Sequence, residues 1–310
     1  MLVIVCPGQG SQVPGLLTPW LELPGMNERI DAFAAACGTD LRAHGTTSDE
    51  QTIRDTAVAQ PLIVASGLLA LQAIFESVPP LPGVAAISGH SVGEITAAAA
   101  AGVLTPEQAM SFVGVRGREM AKASAAHPTG MSAVLGGAPE EVFAAIESHG
   151  LTPANVNGAG QVVAAGDLDA LAALAENPPA KARVRALAVA GAFHTHYMAS
   201  AQEALMQEAR QLQPSRPQLP LISNADGNVL EDGETALERL VAQVCSPVRW
   251  DLCMEQFATL GVTGVLELIP SGTLVGLAKR ALKGVDRFAV EGPDSLEAAR
   301  AFIDAHRDGA

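Results

Sequence analysis

Aromatic side chains and basic charge are both scarce in this sequence of 310 residues. Phe, Trp and Tyr together make up 4% of the chain against 48% hydrophobic residues, so a core must consist mainly of Ala, Val and Leu. Asp and Glu number 33 against 19 Lys and Arg, which gives a formal net charge of −14. Because nucleic acid binding needs a basic face, this charge argues against nucleic acid as a partner.

Cysteine is scarce as well, and its spacing excludes the common cysteine-based sites. The four cysteines form no C-x-x-C pair and no Cys/His spacing of the zinc type. We expect free thiols in a reducing cytoplasm, with neither a metal nor a redox cofactor. The four are Cys6, Cys37, Cys245 and Cys253.

A long uninterrupted apolar run is also missing. Residues 57–75 approach the length of a membrane span, but Gln60, Pro61 and Gln72 interrupt them. We predict a buried helix that begins at Pro61, because proline is favoured in the first turn of a helix. The first residues have no basic leader of the signal-peptide type, so we expect a cytoplasmic protein without membrane contact.

Short apolar runs predict buried strands, and they cover residues 2–6, 84–88 and 265–269. Long helical patterns lie between these runs, as in parallel sheets covered by helices on both faces. Residues 128–189 have the order βαββαβ instead, the ferredoxin-like unit. We therefore predict a large α/β domain over residues 1–127 and 190–310, with a small ferredoxin-like domain inserted at residues 128–189.

The segment ISGHSVGE, residues 87–94, contains the pattern G-x-S-x-G between a predicted strand and a predicted helix. In a nucleophile elbow, the glycines permit a tight turn that holds the serine oxygen over the carboxyl edge of the sheet. The N-terminus of the next helix favours negative charge on a substrate carbonyl. We predict that Ser91 is a nucleophile, the alternative being a plain turn, and that Glu94 is a helix N-terminal carboxylate.

A serine nucleophile needs a base, and the segment GAFHTHYM, residues 191–198, offers two histidines. His194 follows a strand end and a short turn, a place from which a base can reach a neighbouring elbow. The pattern alone leaves His196 as the alternative. His90 directly precedes the serine and would point away from it, so we assign it to the shape of the turn or to substrate contact.

The glycine-rich loop after the first strand does not match a nucleotide-binding fingerprint. Val13 breaks G-x-G-x-x-G, and the Gly-Lys-Ser/Thr of a Walker loop is missing. Such a loop can instead supply a main-chain N–H to an oxyanion, together with the amide that follows the nucleophile. We predict that Gln9 and Val92 form this oxyanion hole.

One arginine falls on the apolar side of a predicted helix over residues 106–123. At about 100° per residue, Arg116 lies one turn from Phe112 and Met120. A buried unpaired guanidinium is costly, so Arg116 must meet an anion. That anion is either an internal Asp or Glu or a substrate carboxylate bound by two parallel hydrogen bonds.

Taken together, segments along the whole chain resemble the malonyl-CoA:acyl carrier protein transacylases, and their residue sequences are similar to those of actinobacterial members. The segments are PGQGSQ (7–12), AQPLIVAS (59–66), GHSVGE (89–94), RG (116–117), GMSAVLGG (130–137), NVNGAGQVVAAG (155–166), GAFHT (191–195) and SPVRWD (246–251). The resemblance implies a hydrolase-like large domain with a ferredoxin-like insertion. It also implies that Ser91 is the nucleophile, His194 the base and Arg116 the ligand of the malonyl carboxylate, with Gln9 and Val92 at the oxyanion.

The resemblance implies further roles near the cleft. Asn155 helps to hold the substrate, and Phe193 matches malonyl-selective relatives, since relatives that accept a branched acyl group have a smaller residue there. In this family a main-chain carbonyl near a Pro-Val turn orients the histidine, which here points to Ser246, where many relatives have Asn.

The implied reaction is ping-pong transfer of malonyl from malonyl-CoA to the phosphopantetheine thiol of an acyl carrier protein, in fatty-acid or polyketide synthesis. The alternatives are a serine esterase or thioesterase with water as acceptor, and a non-catalytic binding subunit. A malonyltransferase subunit of a malonate-degrading complex is a related interpretation. We expect a monomer that docks its acidic carrier through a local basic patch. The candidate patches are Lys181, Arg183 and Arg185, and Lys279, Arg280, Lys283 and Arg287.

Overall fold

The computed structural model describes residues 1–76 and 78–307. Ser77 and residues 308–310, which the predicted large domain includes, lie outside the described residues. The strands are β1 (Leu2–Cys6), β2 (Ala86–Gly89), β3 (Thr129–Gly136), β4 (Thr152–Gly158), β5 (Gln161–Asp167), β6 (Ala182–Ala186), β7 (Leu221–Ile222), β8 (Val229–Leu230), β9 (Val248–Arg249), β10 (Gly264–Glu267) and β11 (Asp286–Ala289).

The helices lie between and around these strands. They are α1 (Met26–Cys37), α2 (Leu41–Thr46), α3 (Glu50–Arg54), α4 (Thr56–Phe75), α5 (Gly93–Ala100), α6 (Pro106–Ala126), α7 (Pro139–Ser148), α8 (Leu168–Glu176), α9 (Ala199–Ala209), α10 (Gly233–Ala242), α11 (Trp250–Thr259), α12 (Thr273–Ala281) and α13 (Leu296–His306). Short 3₁₀ turns cover His196–Met198, Gln243–Cys245 and Pro293–Ser295.

The large sheet has the strand order β11-β10-β1-β2-β7-β8. Its pairs are parallel except for β7 with β8, which is antiparallel. Along β1, Leu2 and Ile4 pack into one hydrophobic cluster, whereas Val3 and Val5 pack into another. Because side chains alternate across a strand, both faces of this sheet are buried, as the continuous apolar runs predict.

The prediction that the long apolar helix begins at Pro61 is wrong. Helix α4 begins at Thr56, and the Asp55 side chain caps it by accepting the N–H of Ala57 at 2.8 Å. Pro61 lies inside the helix and is buried. The helix is long and apolar enough to cross a membrane, yet 78% of its most apolar window is buried within the protein.

The small sheet has the order β6-β3-β5-β4-β9. The predicted succession of strand, helix, strand, strand, helix, strand is confirmed for β3, α7, β4, β5, α8 and β6, and the order of its four strands is that of a ferredoxin-like unit. The added strand β9 pairs parallel with β4, with Asn155 opposite Val248. Because β9 comes from outside residues 128–189, the boundaries of the inserted domain remain a prediction.

Helix α6, which carries Arg116, packs closely against α1 and α4. A Cβ on Gly114 would lie 2.4 Å from the carbonyl oxygen of Cys37, the last residue of α1. A Cβ on Gly117 would lie 3.0 Å from the carbonyl oxygen of Thr56, at the start of α4. These close approaches place Arg116 next to the buried face of α4.

We expect Gly114→Ala to lower the free energy of unfolding by about 1–3 kcal/mol, because its Cβ meets main-chain atoms that cannot turn aside. Gly276→Ala in α12 is the matched control, since nothing lies within 4 Å of its Cβ, and it should raise stability by about 0.5–1 kcal/mol. Urea unfolding of both variants measures the difference. Equal effects would contradict the close α1–α6 contact.

Candidate active site

Ser91 lies in the sharp turn between β2 and α5. Its φ is 52°, in the left-handed region. A Cβ on Gly89 would lie 2.1 Å from the main-chain carbon of Gly93, and one on Gly93 would lie 2.1 Å from the carbonyl oxygen of Cys6. Only glycine fits at both flanking positions, so the turn has the geometry of a nucleophile elbow.

The side chain of Ser91 is hydrogen-bonded to His194. Ser91 Oγ lies 2.7 Å from Nε2, and Nδ1 of the same ring lies 2.8 Å from the main-chain oxygen of Gln243. A carbonyl oxygen can only accept, so the ring proton is held on Nδ1 and Nε2 is left to accept the serine proton. His196, the alternative base, is exposed and packs against Tyr197 instead.

The acceptor that orients His194 differs from the residue that the sequence suggested. Ser246 lies beside the ring, and its main chain contributes to the pKa of His194. Its hydroxyl, however, donates to the carbonyl of Ala242 at 3.0 Å. The hydrogen bond from Nδ1 goes to the carbonyl of Gln243, so the main acceptor is Gln243 rather than Ser246, whose main chain makes a smaller contribution. A main-chain acceptor carries no side-chain signature, which is why the sequence does not single it out.

The surroundings of His194 keep its ring neutral. Burial and the positive charge of Arg116 lower the pKa of His194 to about 3, although the main-chain acceptors at Gln243 and Ser246 act in the opposite direction. Since a general base must be unprotonated, the neutral ring is the form that accepts the proton of Ser91.

Arg116 is buried directly beneath the elbow, with no exposed surface. Nη1 donates to Oε1 of Gln60 at 2.7 Å, and Nη2 donates to Oε1 of Gln243 at 2.6 Å. Nη2 also lies 3.5 Å from Oγ of Ser91, and Nε is buried without a hydrogen-bond partner. Nη2 of the guanidinium therefore faces the hydroxyl of Ser91, and within the described residues the N–H of Nε has no hydrogen-bond partner.

The partners of Arg116 are neutral amides rather than an acid. Within residues 1–76 and 78–307, no carboxylate makes an ion pair with this guanidinium. Burial lowers the pKa of Arg116 to about 9, and the negative charge of nearby Glu94 partly opposes this decrease. An internal acid in direct contact, one of the two alternatives from the sequence, is not what the structure contains.

The two predicted oxyanion donors face the same cleft as Ser91. Gln9 and Val92 both line it, and neither main-chain N–H donates to another residue in the described part of the chain. Two side-chain hydrogen bonds hold the loop after β1 in place. The Gln9 side chain donates to the carbonyl of Arg54, and the Gln12 side chain donates to the carbonyl of Ile53. Two free amides beside a serine oxygen are the arrangement that binds an oxyanion.

The cleft between the two sheets has a volume of about 190 Å³. Asn155 and Phe193, both assigned to substrate contact, line it together with His90. Nε2 of His90 lies 2.9 Å from Oδ1 of Asn157 in β4, so the histidine beside the nucleophile contacts the small sheet. The His90 ring is therefore hydrogen-bonded to the small sheet, whereas the hydroxyl of Ser91 is hydrogen-bonded to His194.

The acyl transferase domain family matches residues 3–297. The chain belongs to the acyl transferase family. It is 50% identical to a malonyl CoA-acyl carrier protein transacylase of Mycobacterium tuberculosis over 297 residues. The aligned region covers 96% of this chain and 98% of that protein. The resemblance to these transacylases found in the sequence is confirmed.

Solved structures of acyl transferases also superpose on the chain. The crystal structure of MCAT from Mycobacterium tuberculosis matches with a TM-score of 0.93 and 49% identity, over 96% of this chain and 99% of that one. A malonyl-transacylase in complex with its type II PKS acyl-carrier protein matches with a TM-score of 0.90 and 28% identity, over 97% and 99%. The α/β fold with a small second sheet is therefore that of this family.

The sequence alone does not single out three polar residues of this acyl transferase site. Gln60 lies in a segment that carries the resemblance, but its amide gives no sign of a guanidinium partner. Asn157 lies two residues after Asn155, on the same side of its strand, which is the one signal that could have found it. Gln243 lies in none of the segments that carry the resemblance.

The low pKa of His194 predicts an unusual pH profile for Ser91. A neutral ester such as p-nitrophenyl acetate should acylate Ser91 without loss of rate at about pH 6.5, where an ordinary histidine is half protonated. Arg116→Gln removes a positive charge, raises the pKa of His194 and should move the acid limb toward neutral pH. Burst rates between about pH 4 and 8 measure this. An acid limb near 6.5 that Arg116→Gln leaves in place would contradict it.

Proposed function

We propose that this protein transfers malonyl groups from malonyl-CoA to the phosphopantetheine thiol of an acyl carrier protein. The main support is the buried guanidinium of Arg116, whose Nη2 lies 3.5 Å from Oγ of Ser91. Among the described residues, its hydrogen-bond partners are two amides and the serine hydroxyl. A malonyl group has its carboxylate one methylene away from the carbonyl that Ser91 attacks. The two ends of this acyl group therefore fit the two side chains.

In the first half-reaction, Nε2 of His194 accepts the proton of Ser91 while Oγ attacks the thioester carbonyl. The N–H groups of Gln9 and Val92 donate to the oxyanion of the tetrahedral intermediate. The carbon–sulfur bond then breaks, and the sulfur of coenzyme A leaves with the proton from Nε2. Ser91 is left as a malonyl ester.

In the second half-reaction, the carrier thiol enters and the same steps run in reverse. His194 takes the thiol proton, the sulfur attacks the ester carbonyl, and Ser91 regains its proton as the ester bond breaks. Substrate and product are both thioesters, so little free energy separates them and transfer runs in either direction. While the acyl carboxylate offsets the charge of Arg116, the pKa of His194 rises, which strengthens the base.

The site disfavours the two alternatives. A neutral acyl group, as in an ordinary ester, would leave Arg116 buried without an anion. The hydrogen bond of 2.7 Å between Ser91 and His194 suits a reacting pair better than a binding subunit. No step of the transfer calls for a metal or a redox cofactor.

Docking of an acidic carrier is proposed to involve exposed basic side chains near the cleft. Arg183 and Arg185 are exposed on β6, the edge strand of the small sheet. Arg280 of α12 donates to Oε1 of Gln161, a residue that lines the cleft. We further propose that the protein acts in the cytoplasm as a monomer.

The direct test is incubation with radiolabelled malonyl-CoA in the absence of carrier. We expect a stable covalent label on Ser91, which passes to added holo-acyl carrier protein and is missing in Ser91→Ala. Rapid release of free malonate would identify a hydrolase, and no label at all would identify a binding subunit. Assays with several purified carriers decide between fatty-acid and polyketide synthesis.

Arg116→Ala tests acyl recognition in the same assay. The lost carboxylate contact is worth roughly 2–5 kcal/mol, so kcat/KM for malonyl-CoA should fall roughly 30- to 5,000-fold. Acetyl-CoA, which has no carboxylate, should lose far less. Equal losses for both acyl groups would remove Arg116 from this role.

A further inference from the structure

Glu94 is a buried acid that the transfer steps above do not use. It lies in the first turn of α5 and is 5% exposed. One carboxylate oxygen accepts the main-chain N–H of Asn224, and the other accepts a hydrogen bond from Nε2 of Gln243. Both oxygens meet N–H donors, which favour the ionised form, whereas burial raises the pKa of the Glu94 carboxyl to about 7. Glu94 is thus a carboxylate in the first turn of its helix, as predicted, but its hydrogen bonds go to Asn224 and Gln243.

The side-chain amide of Gln243 lies between this carboxylate and the guanidinium of Arg116. Its Nε2 donates to Glu94 and also to the carbonyl of Ser91 at 3.0 Å, and its Oε1 accepts from Nη2 of Arg116 at 2.6 Å. A carboxylate only accepts and a guanidinium only donates. The amide therefore fits between them in one orientation.

The arrangement balances charge without direct contact. The negative charge of Glu94 raises the pKa of Arg116, against the effect of burial. Because Gln243 separates the two, Nε of Arg116 remains without a partner and Nη2 remains close to Ser91. The buried positive charge thus has an anion nearby that makes no direct contact with the guanidinium.

We propose that Glu94 is a positioning residue for acyl recognition. Acting through the side chain of Gln243, it holds the Arg116 guanidinium toward Ser91 and supplies its counter-charge without occupying its carboxylate-binding donors. This inference rests on the proposed function and deepens it, since it adds to the recognition of the acyl carboxylate a residue that lies outside the cleft.

Glu94→Gln tests the orientation of the amide with almost no change in volume. If the new amide oxygen accepts from Asn224, its NH₂ group faces the NH₂ group of Gln243. Turning either amide over moves the mismatch to Arg116 or to Asn224, so every arrangement leaves one donor facing another. In every arrangement the guanidinium loses its nearby anion, and when the Gln243 amide turns over it also loses its acceptor on Gln243.

The measured quantity is the ratio of kcat/KM for malonyl-CoA to the rate of Ser91 acylation by p-nitrophenyl acetate. The neutral ester reports on Ser91 and His194, whereas malonyl-CoA also requires Arg116. A hydrogen bond to a charged group is worth about 1.5–3 kcal/mol, so Glu94→Gln should lower this ratio roughly 10- to 100-fold.

Glu267→Gln is the matched control. Glu267 is also buried, and its carboxylate accepts the main-chain N–H groups of Gly272, Leu274 and Val275 at the start of α12. The same substitution there creates a comparable donor mismatch without a link to Arg116. It should affect both reactions alike and leave the ratio within about twofold of the wild-type value, as expected of a structural role.

The double variant Glu94→Gln/Gln243→Glu keeps the test decisive if Glu94→Gln does not fold. The exchange restores donor–acceptor pairing from Asn224 to Arg116, but it removes the N–H that Gln243 donates to the carbonyl of Ser91 and places the carboxylate in direct contact with the guanidinium. We expect a folded protein whose ratio is again at least about tenfold lower.

A wild-type ratio in either variant would overturn the proposal, and so would a ratio that falls equally in Glu267→Gln. Arg116→Ala, measured alongside, separates this failure from that of the proposed function. If Arg116→Ala lowers the ratio and Glu94→Gln does not, only the role of Glu94 is lost. If Arg116→Ala leaves the ratio unchanged, carboxylate recognition by Arg116 is lost as well.

Discussion

The guanidinium of Arg116 is fully buried, and no acid in the described part of the chain contacts it. The arrangement of the site around Ser91 follows from this buried charge. An isolated charge of this kind costs several kcal/mol, so its surroundings must offset the cost without using up its donors. Two glutamine amides and the indirect charge of Glu94 meet that requirement. Gly117 contributes from the other side, because the missing side chain lets α6 approach α4, which carries Gln60.

The catalytic pair and the small sheet are joined by one short stretch of chain. Gln243 orients His194 with its main chain and Arg116 with its side chain. A few residues later, β9 pairs with β4, whose Asn155 and Asn157 line the cleft. His194, Arg116 and strand β4 are therefore all contacted by one segment, residues 243–249. A displacement of this segment would disturb acylation and acyl recognition together.

The sequence predicted the features that follow from periodicity and from glycine. Continuous apolar runs predicted the buried strands. The glycines around Ser91 predicted the elbow, because only glycine fits at Gly89 and Gly93 between β2 and α5. It missed what depends on main-chain acceptors and on capping. Any residue type can supply the carbonyl that orients His194, and Asp55 moves the start of α4 ahead of Pro61. The apolar helix face did predict that Arg116 is buried, but not that amides would surround it.

We propose that the Arg116 guanidinium binds the carboxylate of the acyl group that Ser91 receives. A crystal structure of Ser91→Ala with bound malonyl-CoA tests this most directly. We expect the malonyl carboxylate within hydrogen-bond distance of the guanidinium, with the thioester oxygen facing the amides of Gln9 and Val92. A carboxylate that points to solvent, or an Arg116 paired with an acid of its own chain, would contradict it.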